Sequence, residues 1–335
     1  MKYALIPPYF FISPTGGVQF QAKMWKTGLE KLGHQVDLLG GSWDGAPLGE
    51  YDVVILFGST QLGFNRFMEG IWRANRNFVI APILDPRSPA FVYKLLSKYF
   101  GLPNHCGLTS RYHDMWLGRK YPKLWLIRSE QERHYVNYCL EIPQENIAKV
   151  PLHYRIPSCE GFPDKENFCL HVSGLRTKNK NVPRLIEAAK KYGFQLKLAG
   201  HLYKDGLDWL KDQIGDAKNI EYLGMLSEEE LCNAYRRAKV FALPSTQEGV
   251  GMVALEAAAY GCEIVLTNYG APKEYFNGKA ILVNPRSVDE IGKGVVKALR
   301  VGYGQPSLKA YIEKNFSEEA CCKLLHETIC KHLKI

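Results

Sequence analysis

The chain contains no G-x-x-x-x-G-K-[ST], no G-x-G-x-x-G following a strand pattern and no Asp-x-Asp. The first two absences exclude a P-loop and a dinucleotide fingerprint, whose glycines bring backbone N–H groups up to phosphates. The third removes one carboxylate motif that can hold a divalent cation, and the expectation is chemistry without a metal or other cofactor. Nine cysteines are present, but none forms C-x-x-C and Cys321 and Cys322 are adjacent. That pattern argues against a disulfide framework or a zinc site and for reduced, packing thiols. No stretch reaches the roughly 18 uncharged apolar residues of a membrane span. The apolar run Met1–Pro8 is short and ends in two prolines, which points to a cytoplasmic protein. There is also no compact Lys/Arg run with interleaved aromatics, which ranks nucleic acid last among anionic partners.

What is present is an ordinary globular composition, 46% apolar and 23% charged, over 335 residues, enough for two domains rather than one core. The net charge of +9 is uneven: residues 1–158 hold 18 Lys+Arg against 12 Asp+Glu, and residues 159–335 hold 25 against 22. A basic first half is consistent with a solvated surface, an anionic acceptor or an anionic membrane surface.

Short β-rich runs alternate with amphipathic helical patterns along the whole chain, which predicts α/β architecture with parallel sheets. Strands are read at Tyr3–Ile6, Gln35–Leu39, Asp52–Phe57 and Trp125–Arg128, with helices over 18–32, 65–75, 90–99 and 131–139. Ser129 with Glu132 reads as a capping box. Four prolines between Pro143 and Pro163 interrupt the pattern, placing a domain boundary near Ser158. Alternation then restarts from Phe168 and ends in a helical segment, Ser317–Leu333. The expected fold is therefore two doubly wound, Rossmann-like sheets, residues 1–158 and 159–335, with a ligand cleft between them.

The stretch Val240–Glu256, VFALPSTQEGVGMVALE, reads as strand, glycine-bearing loop and helix. Gly249 and Gly251 lack a Cβ, so a ligand can approach the backbone around Val250, and the first helical turn offers free N–H groups to an anion. Glu248 and Glu256 are acceptor-only carboxylates that suit hydroxyl donors. Together these groups describe a site for a phosphorylated polyol; the plainer alternative is a tight strand-to-helix turn with Glu248 complementing the helix dipole.

Leu243–Gly261 closely resembles the segment LPSxxEGxGxxxxEAxAxG of the retaining GT-B glycosyltransferases of family 4, and weaker resemblance extends over most of the chain. The resemblance implies a GT-B fold whose last helix packs on the N-terminal domain, and transfer of a hexosyl unit from a UDP- or GDP-sugar to a glycan or lipid-linked acceptor. In SGLRTKNKN after Val172, Arg176 and Lys180 match the family's diphosphate-binding cations, with Lys178 as a substitute for Lys180. Glu248 would orient the donor sugar and Glu256 would accept from the ribose. Gly200, Met225 and Leu226 match segments that line the base, and Gly16 and Gly17 match a loop near the donor phosphate.

One departure stands out. Where family members often carry His-Asp after the fourth strand, this chain has Leu84 before Asp85, so Asp85 either faces the cleft or starts a turn before Pro86. His105, His113, His134 and His153 are unranked substitutes. The readings that compete with a transferase are a nucleotide-sugar epimerase or phosphorylase of the same fold, and a nucleotide-sugar binding protein without turnover. A peripheral position at an anionic membrane would suit a lipid-linked acceptor.

Overall fold

A computed structural model describes residues 1–7, 17–40, 47–58, 64–85, 88–102, 109–203, 206–276, 278–300, 302 and 304–335, with no account of the side chains of residues 17–19. The chain divides into two compact units, Met1–Leu152 with Glu318–Ile335, and His153–Ser317.

In the first unit the order is β1 (Lys2–Ile6), α1 (Gly17–Lys31), β2 (Gln35–Leu38), β3 (Val53–Phe57), α2 (Phe64–Ala74) and β4 (Phe78–Ala81). It continues through α3 (Ala90–Tyr99), α4 (Arg111–Gly118), β5 (Leu124–Ile127), α5 (Glu130–Leu140) and β6 (Ile147–Lys149). The six strands are parallel in the order β2-β1-β3-β4-β5-β6, with Tyr3 opposite both Val36 and Val53. Strands such as VVILF are apolar throughout because helices cover both faces of a parallel sheet. Ile6, Leu56, Ile80 and Trp125 meet Met68, Met115 and Val136 in the core.

In the second unit the order is β7 (Glu166–Val172), α6 (Val182–Tyr192), β8 (Leu196–Ala199), α7 (Gly206–Ile214), β9 (Ile220–Gly224) and α8 (Glu228–Arg237). Then come β10 (Ala238–Leu243), α9 (Met252–Ala259), β11 (Glu263–Thr267), α10 (Pro272–Tyr275), β12 (Ile281–Val283), α11 (Val288–Arg300) and α12 (Gln305–Phe316). Its strands are parallel in the order β12-β11-β10-β7-β8-β9, over a core that includes Leu185, Leu198, Val240, Val265, Ile291 and Val295. The last helix, α13 (Glu318–Leu333), belongs to the first unit, where His326 Nδ1 lies 2.7 Å from the Tyr3 hydroxyl and Glu318 pairs with Lys31.

Both sheets are doubly wound, but the chain reverses direction at different places. In the first unit the reversal lies between β1 and β3; in the second it lies between β7 and β10. Ligands of open α/β sheets bind outside the carboxyl ends of the strands at such a reversal. The first unit's two loops there fall largely on residues 8–16 and 59–63, outside the described residues; Gly16 is among them, and Gly17 is the first residue of α1.

The expected capping box on α5 needs correction. The Ser129 hydroxyl accepts from Glu132 N–H at 3.1 Å, but the Glu132 carboxylate does not return to Ser129; it accepts instead from Arg128 N–H at 2.7 Å and Leu84 N–H at 2.6 Å. The reciprocal box forms at α8, where Ser227 and Glu230 exchange both bonds.

Candidate functional site

At the reversal of the second sheet, β7 feeds the loop Ser173–Asn181 and β10 feeds the loop Pro244–Gly251. Side-chain amides stitch the two loops together. Asn181 Nδ2 donates to Pro244 O at 2.9 Å and to Pro285 O at 2.6 Å. Asn179 Nδ2 donates to Gln247 O at 2.9 Å, and Thr246 N–H returns to Asn179 O at 2.8 Å. Asn181 occupies the left-handed region, φ 61°, which asparagine tolerates better than most residues, and it ends the single 3-10 turn Lys178–Lys180.

This stitching sets Lys180 against Glu248. Lys180 Nζ donates to Glu248 Oε2 at 2.7 Å, and the Ser245 hydroxyl donates to the same oxygen at 3.0 Å. Both partners are mostly buried, with side-chain exposures of 21% and 12%. A fixed cation and a fixed carboxylate at one point can serve a ligand that carries both phosphate and hydroxyls. Val250 is buried, and Gly251 caps α9 at φ 77° without a side-chain cap. The N-terminus of α9 is thus left open beside the pair, with no acid in its first turn.

Two further residues shape this edge. His171, fully buried on β7, lies 2.8 Å from Ala242 O through Nδ1 and 2.7 Å from the Ser173 hydroxyl through Nε2. Burial pushes its pKa down to about 4, so the ring is neutral: Nδ1–H donates to the carbonyl and Nε2 accepts from Ser173. Gly200, just after β8, has φ 130°, and a Cβ there would lie 1.8 Å from Ser173 O. Only glycine permits that approach.

Glu256, just over one turn into α9, is buried. Its Oε1 lies 3.3 Å from Arg155 Nε and its Oε2 accepts from the Tyr235 hydroxyl at 3.2 Å. Burial raises its pKa, opposed by Arg155 and the Tyr235 hydrogen bond. Arg155 also reaches Glu228 at 3.8 Å.

The remaining residues expected at the site are not gathered at this pair. Arg176 and Lys178 line a groove of about 740 Å³ with Arg184, Lys190 and Trp209 on α6 and α7, and neither Lys180 nor Glu248 borders it. The cause is local geometry: Leu175 is buried, which turns its neighbour Arg176 outward. Met225 is 71% exposed, and Leu226 borders a separate small hollow with Phe168 and Lys197. Gly249 sits in the loop between Glu248 and Val250.

In the first unit Asp85 forms an ion pair, its Oδ1 lying 3.0 Å from Arg128 Nη2. Arg128 is held in turn by the buried Glu132 at 3.1 Å. Ile83, two residues before Asp85, has φ 52°, a strained conformation for a β-branched residue that tends to mark functional loops. His113 is buried with Nδ1 on Ser97 O, and His153 is buried with Nδ1 on Tyr154 O; His134 stacks on Tyr138, and His105 lies outside the described residues. Among the described residues no group of three His, Cys, Asp or Glu is placed to hold a metal ion.

Sequence reasoning misses Asn179, Asn181, Ser245, His171 and Tyr235. A left-handed asparagine ahead of a helix leaves a weak signal, but which carbonyls it bonds is set by the distant β10 loop. Arg155 stands within the proline-rich stretch, where no periodic pattern marks it.

Residues 155–316 match the family described as glycosyl transferases group 1. Among curated proteins, the chain is 31% identical over 180 residues to an uncharacterized glycosyltransferase of Methanocaldococcus jannaschii, covering 51% of this chain and 44% of that protein. It is 35% identical over 138 residues to the D-inositol 3-phosphate glycosyltransferase of Corynebacterium jeikeium, covering 38% and 33%. The chain thus spans less than half the length of these curated relatives. Over whole structures it is similar to sucrose-phosphate synthase of Thermosynechococcus elongatus, with TM-score 0.76, 15% identity and 99% of both chains covered. HepE of Anabaena, solved in complex with UDP and glucose, aligns with TM-score 0.67 at 14% identity over 98% of this chain and 99% of that one. At such identities the likeness is one of fold.

Proposed function

We propose that this chain, a group 1 glycosyl transferase of GT-B fold through residues 155–316, moves a hexosyl unit from a UDP- or GDP-sugar to a glycan or lipid-linked acceptor with retention of configuration. The observation that carries the reading is the Lys180–Glu248 pair at the reversal of the second sheet, beside the open N-terminus of α9. The pair separates when the donor arrives. Lys180 turns to the diphosphate, and Glu248 accepts from sugar hydroxyls while Ser245 holds its other lone pairs. The backbone of Gly249, Val250 and Gly251, together with the free N–H groups in the first turn of α9, meets the phosphate. Charge developing on the departing diphosphate is then met by a fixed cation and a helix dipole, which accelerates its departure. No metal takes part in this scheme.

Glu256 enters through its second contacts. A ribose hydroxyl can share Oε1 with Arg155 or displace it, so the buried carboxylate both accepts from the nucleotide and anchors Arg155. Arg176, on the outward side of its loop, contributes to the diphosphate through long-range attraction. Gly200 and Met225 border the base through backbone, and Leu226 more remotely. In the first unit, Gly16 and Gly17 serve the donor and Asp85 the acceptor.

The test is a thermal-shift panel of nucleoside diphosphates and their sugars, followed by transfer assays in EDTA. Stabilisation by one nucleoside diphosphate, with sugar transfer surviving chelation, is expected. An epimerised donor, phosphorolysis, or binding without turnover would each replace the transferase reading. Activity lost in chelator and restored by magnesium or manganese would refute the metal-free scheme.

A further inference from the structure

The groove beside the β7 loop lies outside the Lys180 corner, and nothing in the transferase scheme fills it. Two helices and a loop form its walls. Arg184, Glu187 and Lys190 follow one another at every third residue of α6, on one face, and Trp209 and Gln213 stand about one turn apart on α7. Arg176 and Lys178 close the end nearest the sheet edge. At about 740 Å³ the space has the size of a small-molecule site.

The lining offers charge at one end and a ring farther along. Its cations are Arg176, Lys178, Arg184 and Lys190, and its single carboxylate is that of Glu187. Arg184 Nη1 donates to Asn181 Oδ1 at 2.8 Å and Lys190 Nζ to Gln213 O at 2.6 Å, so both heads are fixed on neutral oxygens that leave their charge uncompensated. Arg176 and Lys178 make no ion pair among the described residues. Lys178 precedes the start of α6 and Arg184 follows it; the first turn of that helix carries no acid, and its cap, Asn181, makes no side-chain cap bond. The positive end of the helix dipole therefore adds to the two cations there. Farther along, half-buried Trp209 is anchored on the core of the second unit, and Glu187 supplies a group that only accepts hydrogen bonds.

We propose that this groove binds a phosphorylated monosaccharide, as a second ligand site beside the Lys180 corner. The phosphate meets Lys178, Arg184 and the start of α6, the sugar ring lies on Trp209, and its hydroxyls donate to Glu187. A bare anion would gain nothing from Trp209 and would be repelled by Glu187. A neutral sugar would leave the cations without a counter-charge. Arg184 turns from Asn181 Oδ1 to the phosphate, while Asn181 keeps its Nδ2 bonds to Pro244 O and Pro285 O. The Lys180–Glu248 corner therefore stays assembled, and both sites can be filled together. The inference goes beyond the transferase reading and does not need it.

The experiment is calorimetric titration of glucose-6-phosphate and mannose-6-phosphate into the full chain, with glucose, mannose and inorganic phosphate as controls, each repeated in saturating UDP or GDP. At least one ester is expected to bind roughly tenfold or more tightly than its free sugar and than inorganic phosphate, with a Kd that the nucleotide leaves unchanged. Arg184→Gln should weaken that ester by roughly tenfold and keep the nucleotide Kd within about twofold. Arg184 is exposed, so melting of this variant should match the wild type. Trp209→Leu should cost the ester about threefold and leave inorganic phosphate unaffected. The proposal is overturned if neither ester binds, if inorganic phosphate binds as tightly, if the nucleotide displaces the ester, or if Arg184→Gln binds it like the wild type. Ester binding by a chain that takes up neither UDP nor GDP would uphold the groove and remove the transferase reading.

Discussion

The two units build the same kind of six-stranded parallel sheet and use its carboxyl edge differently. In the second unit the edge is tied chiefly by asparagine side-chain amides that donate to backbone carbonyls. Asn179, Asn181 and Thr246 tie the β7 and β10 loops together, and Gly200 presses against Ser173 O. In the first unit the described part of the edge is organised by buried charge: Glu132 accepts from Leu84 N–H and Arg128, and Arg128 reaches Asp85. An edge tied at its backbone carbonyls holds its N–H groups and glycines in fixed places. A charge-built edge can be undone by a single substitution, as at Glu132.

The contrast can be broken from either side. The largest effects should be on folding. Glu132→Ala leaves Arg128 buried without its main partner and removes the acceptor of two backbone N–H groups, so a loss of about 3–5 kcal/mol is expected in urea unfolding. Gly200→Ala places a Cβ against Ser173 O in a backbone region closed to alanine, with an expected cost of about 2–4 kcal/mol. If Glu132→Ala is tolerated within about 1 kcal/mol, the first edge is not held by charge and the comparison fails.

A smaller effect should appear with pH. His171 titrates at about 4 in the folded chain against 6.5 when free, so its contribution is complete above pH 6.5 and is lost as pH falls towards 4, by up to about 3 kcal/mol. Glu256 has the opposite sense. Its raised pKa means the folded chain holds the proton more tightly, so ionising it costs stability as pH rises from its ordinary value of 4.5 through its folded value. His171→Gln should flatten the acid limb of the stability curve, and Glu256→Gln should remove the opposing slope. An acid limb unchanged in His171→Gln would show that the neutral ring is not what holds β7 to β10.

Much of the fold is legible from the sequence, for physical reasons. Parallel strands buried on both faces, such as VVILF and EIVLT, read as apolar runs, and helices with one apolar face read by their period. Helix α12 is hidden because Pro306 in its first turn reads as a breaker, although that is where a helix accepts proline. Strands β6 and β12, three residues each, are too short for any period. At the site, the loop around Glu248 is legible because glycine and glutamate sit close together in sequence. The outward turn of Arg176 is not, since it depends on Leu175 filling a core formed by distant strands. Spacing alone makes Glu132 a cap partner of Ser129, and it cannot show that Arg128 and Leu84 compete for the same oxygens.

The smallest of the expected effects separates the two cations of the β7 loop. Arg176→Ala should weaken nucleoside diphosphate binding by less than about threefold, in keeping with an exposed charge acting at a distance. Glu248→Ala should instead depress kcat with the sugar donor far more than it weakens the bare diphosphate, since its contacts tighten on the sugar.

The central claim, that the Lys180 corner of the β7–β10 reversal is the diphosphate site, is tested most directly by calorimetric titration of UDP and GDP into the wild type and Lys180→Ala. A loss of about 1.5–3 kcal/mol, roughly 10- to 150-fold in Kd, is expected for whichever nucleotide binds. An unchanged Kd in folded Lys180→Ala, with Arg176→Ala carrying the loss instead, would move the phosphate away from Glu248 and contradict the account.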